Sequence, residues 1–263
     1  MYKSIPPATM LCPSPVVLVS CADGEDPARR DLVTVAWAGT VNSEPPMVSV
    51  SLRKERYSHG LILSSGEFVV NLVDEKMCEA VDFCGVRSGR DLDKARETGL
   101  RYMPAEGLRT APAVEGAPVC LSCRVRQRLE LGSHDLFLGE VIAVQVREDL
   151  MDPRGGIHLE RAGLVAYSHG VYQGLGRVLG FFGWSVAREE VRARRMAALK
   201  DGSRKANGAD AGQAAATSSH PGRRSMKGRP ETDAGFRKDG ADKGGEPTRT
   251  GKGQSGKRRQ DKK

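Results

Sequence analysis

Residues 118–148 read PVCLSCRVRQRLELGSHDLFLGEVIAVQVRE, two long runs rich in Val, Leu and Ile with Gly132, Ser133 and His134 between them. In the first run Ser122, Arg124, Arg126, Arg128 and Glu130 alternate with Leu121, Cys123, Val125, Gln127, Leu129 and Leu131. Side chains of an extended chain point alternately to opposite faces, so this spacing predicts a strand with one wet face and one core face. The short polar link then predicts a hairpin. Further strands are read at PVVLVSC (15–21), DLVTVAWAGTV (31–41), PMVSVSL (46–52) and EFVVNLV (67–73), each bounded by Gly, Pro, Ser or Asp. Helical periodicity is weaker: RYSHGLILSSG (56–66), DEKMCEAVDFCG (74–85), SGRDLDKARETG (88–99) and a basic helix from about Val186 to Lys200. Long antiparallel strands with short inserted helices predict a mainly β protein closed into an antiparallel, Greek-key-like barrel, not a doubly wound parallel sheet. No GxGxxG follows the first strand, which argues against a dinucleotide-binding Rossmann fold.

Charge is unevenly placed. The chain of 263 residues carries a formal +8; residues 201–263 hold 16 Lys/Arg against 8 Asp/Glu, and residues 1–200 hold 25 of each. The C-terminal segment also has 12 glycines, and its large apolar residues are Met226 and Phe236. Such a composition buries too little surface to offset the entropy of ordering, so a disordered basic tail is expected. The expected organisation is a barrel domain at 1–187, then a C-terminal helix and tail at 188–263. The pairs Arg223-Arg224, Arg258-Arg259 and Lys262-Lys263 fit a solubilising tail or a polyanion-binding arm. Interspersed acids and the absence of aromatic interleaving make nucleic acid an unfavoured partner. The preceding chain, about 190 residues, suits one domain burying about 70 % of its unfolded-chain surface.

Prolines interrupt the N-terminal stretch MYKSIPPATMLCPSPVVLVSCADGED where a signal peptide needs an apolar core, and no run approaches the ~20 apolar residues of a membrane span. A cytoplasmic location without membrane contact is expected, and Cys12, Cys21, Cys78, Cys84, Cys120 and Cys123 are then reduced thiols. The single CxxC, Cys120 to Cys123, falls in a strand, where positions i and i+3 face opposite ways, and no second pair completes a metal site. No bound metal is expected.

Chemistry concentrates in residues 34–58. Thr34, Ala36 and Ala38 are expected to share one face; all are small and Gly39 follows, so a flat ligand could reach the backbone there, although a crowded barrel would also select small residues. Asn42 and Ser43 lead into Glu44-Pro45-Pro46. Arg53, Lys54, Arg56, Tyr57 and Ser58 then lie where a strand gives way to a helix. Free N–H groups, hydroxyls and guanidinium forks at a helix N-terminus match a phosphate, although a solvated basic turn has the same composition. One ligand with a flat ring and a phosphate accounts for both stretches.

At this point the chain resembles the flavin reductase-like, flavoredoxin-type family with an FMN-binding split barrel. The likeness covers about residues 10–186 and rests on TVAWAGTVNSEPPMVSVSLRKERYSHGLI, GEFVVNL, DFCGVRSGRDLDKARETGL, LGSHDLFLGEV and AGLVAYSHGVYQGLG. It implies an isoalloxazine along Thr34, Ala36, Trp37, Ala38 and Thr40, with Asn42 adjoining. Ser51 would line the ribityl chain, and Arg53, Arg56, Tyr57 and Ser58 would hold the phosphate. The segment LGSHDLFLGEV is similar to a Gly-Asp-His segment in which the histidine lies near flavin and nicotinamide. Here Ser133 replaces the aspartate, and His134, otherwise read as a hairpin residue, inherits the role. His169 and Tyr172 would cover the flavin from the partner subunit of a homodimer whose interface holds it.

The resemblance implies an FMN-dependent NAD(P)H:flavin oxidoreductase delivering electrons to free flavin or a downstream acceptor, such as a partner monooxygenase or electron-carrier protein. A flavoredoxin-like carrier reduced by a protein donor, and a non-redox binding module with a polyanion-binding tail, stand as alternatives. A phosphate-sized basic cluster without a glycine-rich pyrophosphate loop favours FMN over FAD. No Ser-His-Asp order, paired carboxylates or nucleophile elbow argues for hydrolysis.

Overall fold

The structure is a computed structural model that describes residues 1–199. The expected disordered tail lies outside the described residues. These form twelve strands: β1 (Ser14–Pro15), β2 (Val17–Ala22), β3 (Arg30–Val35), β4 (Ala38–Ser43), β5 (Pro46–Arg53), β6 (Glu67–Leu72), β7 (Tyr102–Met103), β8 (Ala113–Val114), β9 (Val119–Glu130), β10 (His134–Val146), β11 (Val165–Ser168) and β12 (Val171–Gly174). The α-helices α1 (Tyr57–Ser65), α2 (Cys78–Val86) and α3 (Lys94–Thr98) are inserted between them, and residues 189–199 are also helical. Among the described residues no helix is long and apolar enough to cross a membrane.

Seven strands pair in the order β3-β2-β6-β9-β10-β5-β4, every pair antiparallel. DLVTVAWAGTV, expected as one strand, is two. It breaks at Ala36 and Trp37, and its halves, β3 and β4, form opposite edges of this sheet. A two-residue link can join opposite edges only if the sheet curls until they meet, which makes the barrel. The Ser51 N–H donates to the Trp37 carbonyl at 2.9 Å, extending the β4–β5 pairing into the bend.

Val17, Val19, Val33, Val50, Leu52, Leu61, Ile62, Phe68 and Phe137 share one buried cluster; Leu18, Leu32, Val69, Val81, Cys84, Val114 and Cys120 share a second. All six residues of β2 are therefore buried, as alternate side chains enter different clusters. Cys120 and Cys123 likewise fall in different clusters. Truncating a fully buried side chain such as Phe137 to Ala is expected to cost about 3–5 kcal/mol. A Cβ on Gly139 would come within 2.5 Å of the Phe68 ring, so only glycine lets β10 pass over it.

The alternation expected along 121–131 fails near its start, where Ser122 is buried, and at its far end, where Leu129 and Leu131 are exposed. There the β9–β10 hairpin extends past the core.

Candidate functional site

The strand-to-helix junction supplies an anion-compatible terminus. β5 ends at Arg53, the turn closes with the Arg56 N–H donating to the Arg53 carbonyl at 3.1 Å, and α1 begins at Tyr57. Arg56 is the N-cap, in extended geometry with φ −66° and ψ 137°; it makes no side-chain cap hydrogen bond, and the first turn holds no acidic residue. The first turn itself thus supplies no counter-charge to the positive end of the helix dipole. Arg53 is exposed, with Glu55 3.5 Å away, and Arg56 is half-buried.

Arg90, from the segment between α2 and α3, joins this junction. Its Nη1 donates to the Glu55 carbonyl at 2.9 Å, and its guanidinium lies 5.8 Å from the centroid of the Tyr57 ring. Asp23, Arg29, Tyr57, Gly60, Leu61 and Arg90 line a cavity of about 330 Å³ along this flank of α1. Arg90 is not legible as a site residue from the sequence, because the helical period of SGRDLDKARETG places it within a helix. The helix spans only Lys94–Thr98; Asp93 is its N-cap, accepting from the Arg96 N–H, and Ser88 holds the turn before it by accepting from the Arg90 N–H.

Ser58 does not present its hydroxyl to this surface. It is buried, and its hydroxyl donates to Asp31 Oδ2 at 2.5 Å. Asp31 in turn pairs with buried Lys94, Nζ to Oδ1 3.1 Å. Lys94 also donates to the Leu32 carbonyl at 2.5 Å and the Cys84 carbonyl at 3.3 Å. A buried charge needs such partners. A Cβ on Gly89 would collide with Asp31 Oδ1 and lie 2.8 Å from the Tyr57 ring, so the Ser-Gly-Arg segment closes over this network.

The ring side is assembled at the paired ends of β5 and β10, where Arg53 lies opposite His134 and Ser51 opposite Leu136. Trp37 reaches His134 with ring centroids 4.7 Å apart at 36°, and the Ser133 Oγ lies 2.9 Å from His134 Nδ1. Partial burial, then the nearby Arg53 guanidinium, pushes the His134 pKa below its ordinary value. Trp37, Ser51, Arg53 and His134 are therefore brought together, with Arg56 and Tyr57 following along the chain.

Other expected residues are placed differently. Thr34 lies on β3, Ala36 in the bend and Ala38 at the start of β4, so the three do not follow one another along a single strand; the Thr34 hydroxyl donates to the Val81 carbonyl on α2. Thr40 is exposed on β4, and the Asn42 amide donates to the Pro45 carbonyl at 2.8 Å within the β4–β5 hairpin. His169, at φ 47°, and Gly170 turn the β11–β12 hairpin in a separate three-stranded sheet. Tyr172 donates to Asp82 Oδ1 at 3.2 Å.

Thiol chemistry has little support here. Burial raises Cys84 and Cys120 to about 11 and Cys123 to about 12. They stay protonated and unreactive near neutrality. Among the described residues no His/Cys/Asp/Glu grouping could hold a metal ion.

Residues 9–176 match the profile of the flavin reductase like domain. The chain belongs to that family. Flavoredoxin of Desulfovibrio vulgaris (Miyazaki F) superimposes with a TM-score of 0.64 at 29% identity, covering 69% of this chain and 97% of flavoredoxin. An uncharacterized protein of Aeropyrum pernix is 35% identical over 144 residues, 54% of this chain and 52% of that protein, so the match spans about half of that relative's length. The FMN reductase (NADH) RutF of Stutzerimonas stutzeri is 25% identical over 124 residues, 47% of this chain and 68% of RutF. With the flavin reductase-like fold goes the split barrel, here a mainly β, antiparallel structure with short inserted helices. In this member of the family the match ends just after β12.

Proposed function

We propose that this chain binds FMN and moves electrons from NAD(P)H through it to free flavin or a downstream acceptor, as a flavin reductase. The carrying observation is the junction itself: an α1 N-terminus without internal acid, flanked by Arg53 and Arg56, directly beside the Trp37–His134 contact. These groups fit a phosphorylated flat ring. Arg53, Arg56, Tyr57 and the first-turn N–H groups would hold the phosphate, with Ser58 contributing through its backbone because its hydroxyl is committed to Asp31. Ser51 would line the ribityl chain. Ala36, Trp37, Ala38 and Thr40 would border the ring, Thr34 and Asn42 through their backbone.

Bound FMN supplies hydride acceptance and electron release. The chain's own part is to stack, orient and shield it. His134 would mark the nicotinamide side, where partial burial and the Arg53 guanidinium favour its neutral form. His169 would approach from the partner subunit of a homodimer. NADH as donor finds support in the RutF relative; a monooxygenase or electron carrier is the proposed acceptor.

The absorption spectrum of purified protein titrated with FMN and FAD, followed by NADH and NADPH oxidation with and without added FMN, tests the reading. The expected result is a bound-flavin spectrum, FMN held more tightly than FAD, and flavin-stimulated oxidation. Absence of flavin binding would remove the proposal. The structural likeness to flavoredoxin supports a second reading, an electron carrier that binds FMN and leaves both nicotinamides unoxidised.

A further inference from the structure

His134 faces Trp37, and the next residue of β10, Asp135, turns the opposite way into the protein. Asp135 is fully buried. Its Oδ2 lies 2.8 Å from Nε2 of His59, in the first turn of α1, and Arg128 of β9 donates to the same oxygen at 3.3 Å. Oδ1 has no hydrogen-bond partner; Lys54, in the turn before α1, stands 3.5 Å from it. Glu130 takes the outer ends of this group, from Lys54 at 2.9 Å and Arg128 at 2.7 Å. His59 is closed in on its other side by the Phe137 ring, edge-on at 5.3 Å.

One carboxylate thus ties together the 53–56 turn, the first turn of α1 and the β9–β10 hairpin that carries His134. A buried charge is disfavoured unless well paired, and an apolar residue would fill the space at lower cost. Burial pushes the Asp135 carboxyl up, but the His59 hydrogen bond and Lys54 more than offset this and hold it below the ordinary range. The opposite side of the same helical turn is gripped by Asp31 through Ser58.

We propose that Asp135, acting through His59 and Lys54, is a positioning residue that holds the phosphate-binding turn in register with the Trp37–His134 face. The inference rests on the FMN reading above. Asp135 touches no ligand in this scheme; it fixes the distance between the two ends of the site.

Full-length Asp135→Asn and His59→Leu, with Arg53→Ala for comparison, are titrated with FMN and with riboflavin, which lacks the phosphate. Asp135→Asn and His59→Leu should each weaken FMN by about tenfold and riboflavin by less than about twofold, the scale of one misplaced charged hydrogen bond. The double variant should be little worse than either single one, because both act through one contact. A purely structural role would weaken both ligands alike. Equal weakening, or no change, overturns the proposal. If Asp135→Asn does not fold, His59→Leu decides by the same FMN-to-riboflavin ratio. If the ratio moves in Arg53→Ala but in neither of the other two, the proposal alone fails; if it moves in none, the phosphate reading has failed and the proposal falls with it.

Discussion

At the scale of single residues the site divides between groups that face outward and groups that hold them. Arg53 and Arg56 flank the uncapped α1 terminus with no buried carboxylate to neutralise them, which leaves them available to a dianion. Arg53→Ala and Arg56→Ala should each weaken FMN by about 1–3 kcal/mol, the range for a lost charged hydrogen bond, and leave riboflavin nearly unchanged. Flavin fluorescence titration with both ligands measures this. Equal loss of both would mean that the arginines shape the fold and not the phosphate contact. The arginine cluster was legible because charge at a strand-to-helix junction is a local pattern. The supporting residues were not. Ser58 reads as another phosphate donor until the fold brings Asp31 beneath it from β3, and Asp31 to Lys94 or Asp135 to His59 are pairings between residues 63 and 76 positions apart.

At the scale of elements, period and turn chemistry identified the β9–β10 hairpin, β2, β5, β6, α1 and α2 close to their observed bounds. They did not reveal the bend at Ala36–Trp37, because every residue from Leu32 to Thr40 other than Gly39 suits a strand, and only closure of the sheet demands the break. A second element invisible in the sequence is the loop around His158. Its Nε2 lies 3.0 Å from Asp152 Oδ2 and its Nδ1 2.9 Å from Glu160 Oε1, with Arg161 3.7 Å from the same Glu160 oxygen. The Asp152 and Glu160 hydrogen bonds raise the His158 pKa; the Gly156 N–H, then His158, lower Asp152 to about 2. A raised histidine contributes stability that is fully present below its unfolded-state pKa and is lost as pH rises through the folded one. A lowered carboxylate contributes above its unfolded-state pKa and is lost as pH falls toward about 2. The loop should therefore be held most firmly in mildly acidic solution. Amide exchange of residues 151–159, corrected for intrinsic rate, should be faster at about pH 8 than at about pH 6, and His158→Gln should erase the difference. A pH-independent corrected rate in the unsubstituted protein would show that the imidazole does not secure the loop.

At the scale of the whole molecule, the site and the net charge sit in different parts of the sequence. Residues 201–263 carry the whole +8 and only Met226 and Phe236 as large apolar side chains. Deleting them should leave FMN affinity and turnover within about twofold, since so little apolar surface can support a barrel; an apo or aggregated truncation would contradict this. The segment after β12 has the opposite character. Leu175, Leu179, Phe182, Trp184 and Val186 are all exposed, Leu179 at 71% and Phe182 at 104% of full exposure. Soluble chains rarely leave so many large apolar side chains in water along so short a stretch unless another surface covers them. In the proposed homodimer that surface is a second copy, which also gives His169 its route to the flavin. Light scattering should then return twice the 28.4 kDa chain mass. Leu179→Asp with Phe182→Asp should yield monomers, because burying either carboxylate without a partner is costly. If the flavin lies at the interface, those monomers should bind FMN at least about tenfold more weakly, through loss of the partner's contacts and of linkage between binding and assembly. Monomers of the substituted protein that retain full FMN affinity would place the flavin within one chain, and a monomeric unsubstituted protein would remove the partner's His169 from the site altogether.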